Sequence, residues 1–287
     1  MNKNFKKFIS YWIFKIFENI NKSKRFRLKL VRSYLRTYLY VIDEVENETV
    51  ENNLQCNQDI FWTMWLQEER PEIVQLCLNS IEKYCKNLKI ITEKNYKDYV
   101  DIPKYILDKF YSGKMKPCFF SDYIRVCLLE KYGGTWIDGT CYMTNSVPQY
   151  ILNSDFFVLE DYDKYTFSNY FIHSKPNTFL IRVIKRFLEE YWKENDKECY
   201  YFFFHTFTLL ARKYNKHFKS EWDKMPIGLN YNTKLMYNVL FDNYEPNVFN
   251  WLCKTSYLHK LTYKTLNGKN PEDKYEKSLL NYLLKNN

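Results

Sequence analysis

Glycine is scarce in this chain, at 6 of 287 residues. Six glycines leave few places where the backbone can turn left-handed without strain, so a paired glycine marks a place of interest. No internal repeat or low-complexity block occurs, which removes solenoid and propeller architectures. The eight cysteines, at 56, 77, 85, 118, 127, 141, 199 and 253, include no C-x-x-C pair, which argues against a zinc site. Several fall inside apolar helical patterns and read as reduced, buried thiols of a cytosolic protein. No stretch reaches the ~20 uninterrupted apolar residues of a membrane span. The N-terminus also lacks the apolar run and cleavage site of a signal peptide.

Charge of either sign is nearly balanced over most of the chain. The net charge is +9, but residues 1–40 carry eleven Lys and Arg against Glu18 alone, leaving the other 247 residues at −1. A nucleic-acid enzyme spreads positive charge over its working face, and this body does not. Hydrophobic residues make up 46% and aromatics 20%, which excludes a disordered chain and supplies a large core.

The basic arm has helical periodicity. Phe5, Phe8, Ile9, Trp12, Ile13, Ile16, Phe17 and Ile20 fall on one stripe, and Leu28, Val31, Leu35 and Tyr38 on a second. Such helices either lie in an anionic membrane surface or pack on the body, and the pattern leaves both readings open. The acidic run from Asp43 to Asn53 reads as a linker. The expected division is therefore a basic helical extension and linker over 1–55 and a globular domain over 56–287.

Beyond residue 55 strands and helices alternate. Apolar runs at 60–66, 88–94, 135–138 and 156–161 read as strands. Residues 71–85, 102–113, 117–134, 177–192 and 201–214 read as helices, two of them opened by Pro71 and Pro117 and one stopped by Gly133-Gly134. This order predicts an α/β fold with a mostly parallel sheet. It places Asp138 at the carboxyl end of a strand, the edge where open α/β sheets bind ligands. Gly139 beside it permits close approach, and a carboxylate there suits Mg²⁺ or Mn²⁺ held against phosphate. Asp122 and Arg125, three apart on the preceding helix, share a face. Their flanking Ile124, Val126, Leu128 and Leu129 leave little polar surface, so the pair is expected to be partly enclosed. No carboxylate pair suited to hydrolytic acid/base work stands out.

The stretch "SDYIRVCLLEKYGGTWIDGT" resembles the signature of glycosyltransferase family 32, above all its capsular polysaccharide synthesis branch. The likeness extends to "IFWTMW", "FSNYFIHS" and "YLHKLTYK" and covers roughly residues 58–265. It implies that 56–287 is a GT-A type glycosyltransferase domain, a Rossmann-like mixed sheet flanked by helices. It further implies a retaining, metal-dependent transfer of a sugar from a UDP- or GDP-sugar to a glycan or lipid-linked glycan acceptor. On this resemblance Asp122 and Arg125 hold the transferred sugar. Trp62, Gly134, Asp138 and Lys260 bind the donor, with Trp62 against the base. Asp138, Thr140 and His259 hold Mn²⁺ or Mg²⁺. Asn169 and His205 are weaker correspondences. Thr140 departs from the DXD pattern, standing where a second acid is usual. The competing reading is a non-catalytic glycan-binding or membrane-surface protein on the same fold. Both place the protein in the cytoplasm, with residues 1–40 a candidate contact to the inner face of the membrane, and neither calls for nucleic acid.

Overall fold

The computed structural model describes residues 9, 11, 12, 24–49, 59–160, 167–265, 268–273 and 275–286. Its elements begin with α1 (Lys24–Leu35), α2 (Tyr40–Glu46), β1 (Phe61–Met64), α3 (Glu72–Tyr84), β2 (Leu88–Ile91), α4 (Lys104–Tyr111), α5 (Pro117–Tyr132), β3 (Gly134–Ile137) and β4 (Cys141–Met143). They continue with α6 (Gln149–Leu152), β5 (Phe156–Glu160), β6 (Phe167–Ser174), α7 (Phe179–Glu194), α8 (Phe203–Tyr214), α9 (Lys216–Asp223), α10 (Leu235–Val239), α11 (Pro246–Thr255), β7 (Leu258–Lys260) and α12 (Leu279–Lys285). The described residues form two compact units, one drawn from 1–54, 101–130 and 177–225 and the other from 55–100, 131–176 and 226–287.

The first unit is helical among its described residues. Its core is aromatic, with Phe187 and Phe207 stacked at 3.7 Å and Tyr191 against Phe203 at 4.5 Å. The second basic stripe belongs to this core. Val31, Leu35 and Tyr38 are buried, and the Tyr38 ring meets Phe187 edge-on at 5.6 Å. For these residues packing accounts for the apolar stripe. Of the first stripe Ile9 and Trp12 are described and exposed, and its other members lie outside the described residues.

The expected linker is corrected over its first part. Residues 43–46 complete α2, with Val41, Ile42 and Val45 buried. Two of the acids that suggested a solvated linker, Glu44 and Glu48, are partners of α7. Glu48 pairs with Arg182 at 3.2 Å and with Arg186, and Arg182 also donates to the Val45 carbonyl at 3.2 Å. Residues 50–53 lie outside the described residues.

The second unit holds a five-stranded sheet in the order β2-β1-β3-β6-β5. β1 runs parallel to β2 and to β3, whereas β6 is antiparallel to both β3 and β5. The sheet is thus mixed rather than mostly parallel. Only six residues separate β5 from β6, too few for the crossover that parallel neighbours need. β1 and β3 are buried along their whole length, which their near-continuous apolar runs foretold. A small second sheet pairs β4 with β7 antiparallel.

α3 buries the positions its periodicity marked, Ile73, Val74, Leu76, Cys77, Leu78 and Ile81. Between α5 and β3 the chain turns through Gly133 and Gly134, at φ 69° and 93°. A Cβ at Gly134 would lie 2.3 Å from the Ile60 carbonyl oxygen, so only glycine fits where β3 enters beside β1. Among the described residues no helix is long and apolar enough to cross a membrane, and no two cysteines form a disulfide.

Candidate functional site

Asp138 follows the last residue of β3, as its place in the sequence predicts. A tight turn carries the chain from there into β4, closed by a bond from the Cys141 amide to the Asp138 carbonyl at 2.9 Å. The Asp138 amide donates to the Tyr170 carbonyl at 2.9 Å. That bond continues the regular register of β3 on β6, in which Ile137 faces Phe171. On its other edge β6 is irregular. Val158 of β5 pairs with Ile172 and the next residue, Leu159, with Ser168, so Asn169, Tyr170 and Phe171 have no partners on β5. Such bulges are common beside binding sites.

Both carboxylate oxygens of Asp138 accept hydrogen bonds. Trp136 Nε1 donates to Oδ1 at 2.8 Å, and Lys260 Nζ donates to Oδ2 at 2.8 Å. The same ammonium donates to Thr140 Oγ1 at 2.6 Å and sits 5.1 Å from the centre of the Tyr170 ring. The backbone fixes Lys260 opposite this turn. Lys260 pairs with Cys141 in the small sheet, and the Leu261 amide donates to the Thr140 carbonyl at 2.8 Å. The side chains of Asp138 and Lys260 remain 24% and 25% exposed, so solvent and solutes reach the pair.

Other expected residues lie elsewhere. His259 precedes Lys260 on β7, and successive side chains of a strand point to opposite faces. Its ring is fully buried and its Nε2 lies 3.1 Å from the Leu252 carbonyl oxygen of α11. Burial pushes its pKa down to about 4, so it is neutral at pH 7. His259 therefore does not join Asp138 and Thr140. Trp62 is not a base-contacting residue either. It is 1% exposed, donates to the Gly133 carbonyl at 2.9 Å, and packs against Tyr99 and Tyr132 at 5.4 and 5.5 Å. Gly134 opens β3, about 13 Å from Asp138 for a strand rising about 3.3 Å per residue, and serves the approach of β3 to β1.

Asp122 and Arg125 lie in the helical unit and are enclosed, at 7% and 4% exposure. Their ion pair spans 3.3 Å, and Arg125 also donates to the Ser121 carbonyl and hydroxyl at 3.4 and 3.3 Å. Asn169 falls in the irregular stretch of β6. His205 lies on α8 of the helical unit, its ring 5.5 and 5.4 Å from those of Phe202 and Phe204.

The reading from sequence did not single out three aromatics. Trp136 carried a signal, since residues i and i+2 of a strand share a face. Trp65 follows β1 at the same sheet edge, where the Met64 carbonyl lies 3.4 Å from a Cβ built at Gly139. The Trp65 ring meets Tyr263, three residues past Lys260, edge-on at 5.3 Å. That pair is a product of folding with no local signal.

The donor set does not fit Mn²⁺ or Mg²⁺. These ions take hard oxygen ligands in number, yet one carboxylate and one hydroxyl are present and both hold an ammonium. A divalent ion about 4 Å from that ammonium would be repelled by about 8 kcal/mol at an effective dielectric of about 20. Among the described residues no cluster of three or more His, Cys, Asp or Glu could hold a metal ion.

Comparison with curated proteins finds no match. Comparison with protein families does: the profile of the capsular polysaccharide synthesis protein aligns with residues 10–282, nearly the whole chain. The alignment takes in both units and every residue of the Asp138 cluster, and the chain belongs to the family of capsular polysaccharide synthesis proteins.

Proposed function

We propose that the chain is a glycosyltransferase of capsular or other surface polysaccharide synthesis, moving a sugar from a nucleotide-sugar donor to a glycan or lipid-linked glycan acceptor. The observation that carries this reading is the Asp138–Lys260–Thr140 cluster at the carboxyl edge of the sheet, within a capsule-synthesis family member. The mixed sheet is consistent with a GT-A type fold, and the glycosyltransferase family 32 resemblance adds retention at the anomeric carbon.

The hard part of such a transfer is the departure of a nucleoside diphosphate. Positive charge placed where negative charge grows is the usual dominant contribution. Lys260 supplies that charge at the solvent-reached end of β3, and Asp138 and Thr140 hold it in place. Trp65 and Tyr263 stand on the same edge and offer aromatic surface to the base, the part Trp62 cannot play. UDP- and GDP-sugars are the donors tested first, because the resemblance points to them.

The test is release of nucleoside diphosphate from a panel of UDP- and GDP-sugars, with product mass measured against glycan acceptors. Turnover abolished in Lys260→Met supports the assignment. Nucleotide binding without turnover on any donor would favour the non-catalytic glycan-binding reading. Wild-type turnover by Lys260→Met would refute the role of the cluster.

A further inference from the structure

We propose that Lys260 is the built-in cation of this site, so that nucleoside diphosphate binding and donor cleavage need no divalent metal ion. The proposal rests on the nucleotide-sugar reading above and specifies how that site handles charge.

Four observations carry it. First, the ammonium occupies the position between the two side chains of the Asp-x-Thr sequence, 2.8 Å from Asp138 Oδ2 and 2.6 Å from Thr140 Oγ1. These are the atoms that a DXD-type motif turns toward an ion. Second, the charges match. Two acids would leave a deficit of two that a dication fills, whereas one acid and one threonine leave a deficit of one, which a single ammonium balances. The Thr140 substitution and the presence of Lys260 thus explain each other. Third, the remaining oxygen of Asp138 is held by Trp136 Nε1 at 2.8 Å, and His259 is turned away to the Leu252 carbonyl. Fourth, Lys260 is fixed before any ligand arrives. Its strand is registered on β4, its neighbour Leu261 bonds to the Thr140 carbonyl, and its ammonium rests by the Tyr170 ring. A pre-placed cation loses little freedom on meeting a phosphate.

In the transfer step the bond between the anomeric carbon and the phosphate oxygen breaks, and its electron pair stays on the diphosphate beside Lys260. The acceptor oxygen supplies the pair for the new glycosidic bond, and its proton passes to the departing diphosphate. The balance requires no redox partner. Asp138 is then a positioning residue for Lys260, and its carboxylate need not touch an ion.

The experiment titrates full-length protein, stripped with EDTA, with UDP and GDP by calorimetry, and repeats the titration with Mn²⁺ in place of EDTA. Nucleotide release from the donor sugar is followed in the same two buffers. The expected result is a Kd and a rate in EDTA within about threefold of those in Mn²⁺. Lys260→Met should weaken binding by about tenfold or more in EDTA, the loss of one charge-assisted contact. Lys260→Arg should keep most of it. Binding that appears only with Mn²⁺ overturns the proposal and leaves the transferase reading standing. Wild-type affinity in Lys260→Met also overturns it. If neither nucleotide binds in either buffer and no donor is cleaved, the proposal and the nucleotide-sugar reading fall together. The wild-type comparison depends on no variant, so a poorly folded Lys260→Met does not blunt the test.

Discussion

Replacing Trp62 separates a nucleotide-contacting tryptophan from a structural one. Trp62→Phe keeps an aromatic ring in the space between Tyr99 and Tyr132 but removes the indole N–H that donates to the Gly133 carbonyl at 2.9 Å. That carbonyl stands beside a side chain 1% exposed, and a buried acceptor left without its donor costs about 1–3 kcal/mol. Trp62→Ala also opens a cavity, at about 3–5 kcal/mol. For a chain of this order each kcal/mol moves Tm by about 2–4 °C, so Phe should lower it by about 2–12 °C and Ala, which loses both contributions, by about 8 °C or more. Thermal unfolding by circular dichroism reads the shift, and calorimetry with UDP or GDP below the transition reads affinity. Affinity per folded molecule should stay within about twofold, because the ring has no face open to a ligand. Unchanged Tm with tenfold weaker nucleotide binding would refute the placement of Trp62 in the core.

Three further outcomes are expected. Gly134→Ala should fail to fold or lose several kcal/mol, since its Cβ would meet the Ile60 backbone at 2.3 Å; Gly113→Ala, at φ 75° in open space, should cost only about 1 kcal/mol by urea denaturation. Asp122→Ala should destabilise by about 3–5 kcal/mol by taking the Asp122 carboxylate from the buried Arg125 guanidinium, and an Asp122→Leu/Arg125→Met double variant should recover part of that loss in a double-mutant cycle. His173 is fully buried beside Thr135, and burial pushes its pKa from 6.5 to about 4, so the unfolded chain binds the extra proton between those values. Its contribution is whole above about pH 6.5 and falls away toward pH 4 by about 3 kcal/mol; His259 adds a like decline, so His173→Gln should remove about half of the total in pH-dependent urea titrations.

The parts of the fold set by local pattern were legible in the sequence. α3 follows its apolar spacing from Pro71, α5 runs from Pro117 to the glycines, and Asp138 falls at the end of β3 as the Gly-Gly-Thr-Trp-Ile run indicates. Elements defined by distant pairing were not legible. β4 and β7 are three residues each and exist because they pair with one another. The antiparallel half of the sheet depends on β6, whose alternation is broken by the bulge that carries Tyr170. In the site, Asp138, Thr140 and Lys260 were singled out from the sequence and the structure brings them together, but the sequence did not reveal that the lysine stands between the other two. His259 was misread because adjacent residues of a strand face opposite ways, and a family correspondence does not say which faces in. Trp62 was misread because an apolar strand buried on both faces gives no clue to which tryptophan lies at the rim.

The partners Asp138 and Lys260 are separated by 122 positions along the chain. During synthesis on the ribosome Asp138 emerges long before the strand that neutralises it. Every nascent chain short of residue 260 thus carries an acidic turn without its counter-ion and a β4 without its mate. Fragments released early should be inert toward nucleotides however well their first strands have formed, and a chaperone that shields β4 until β7 appears would raise the yield of competent protein.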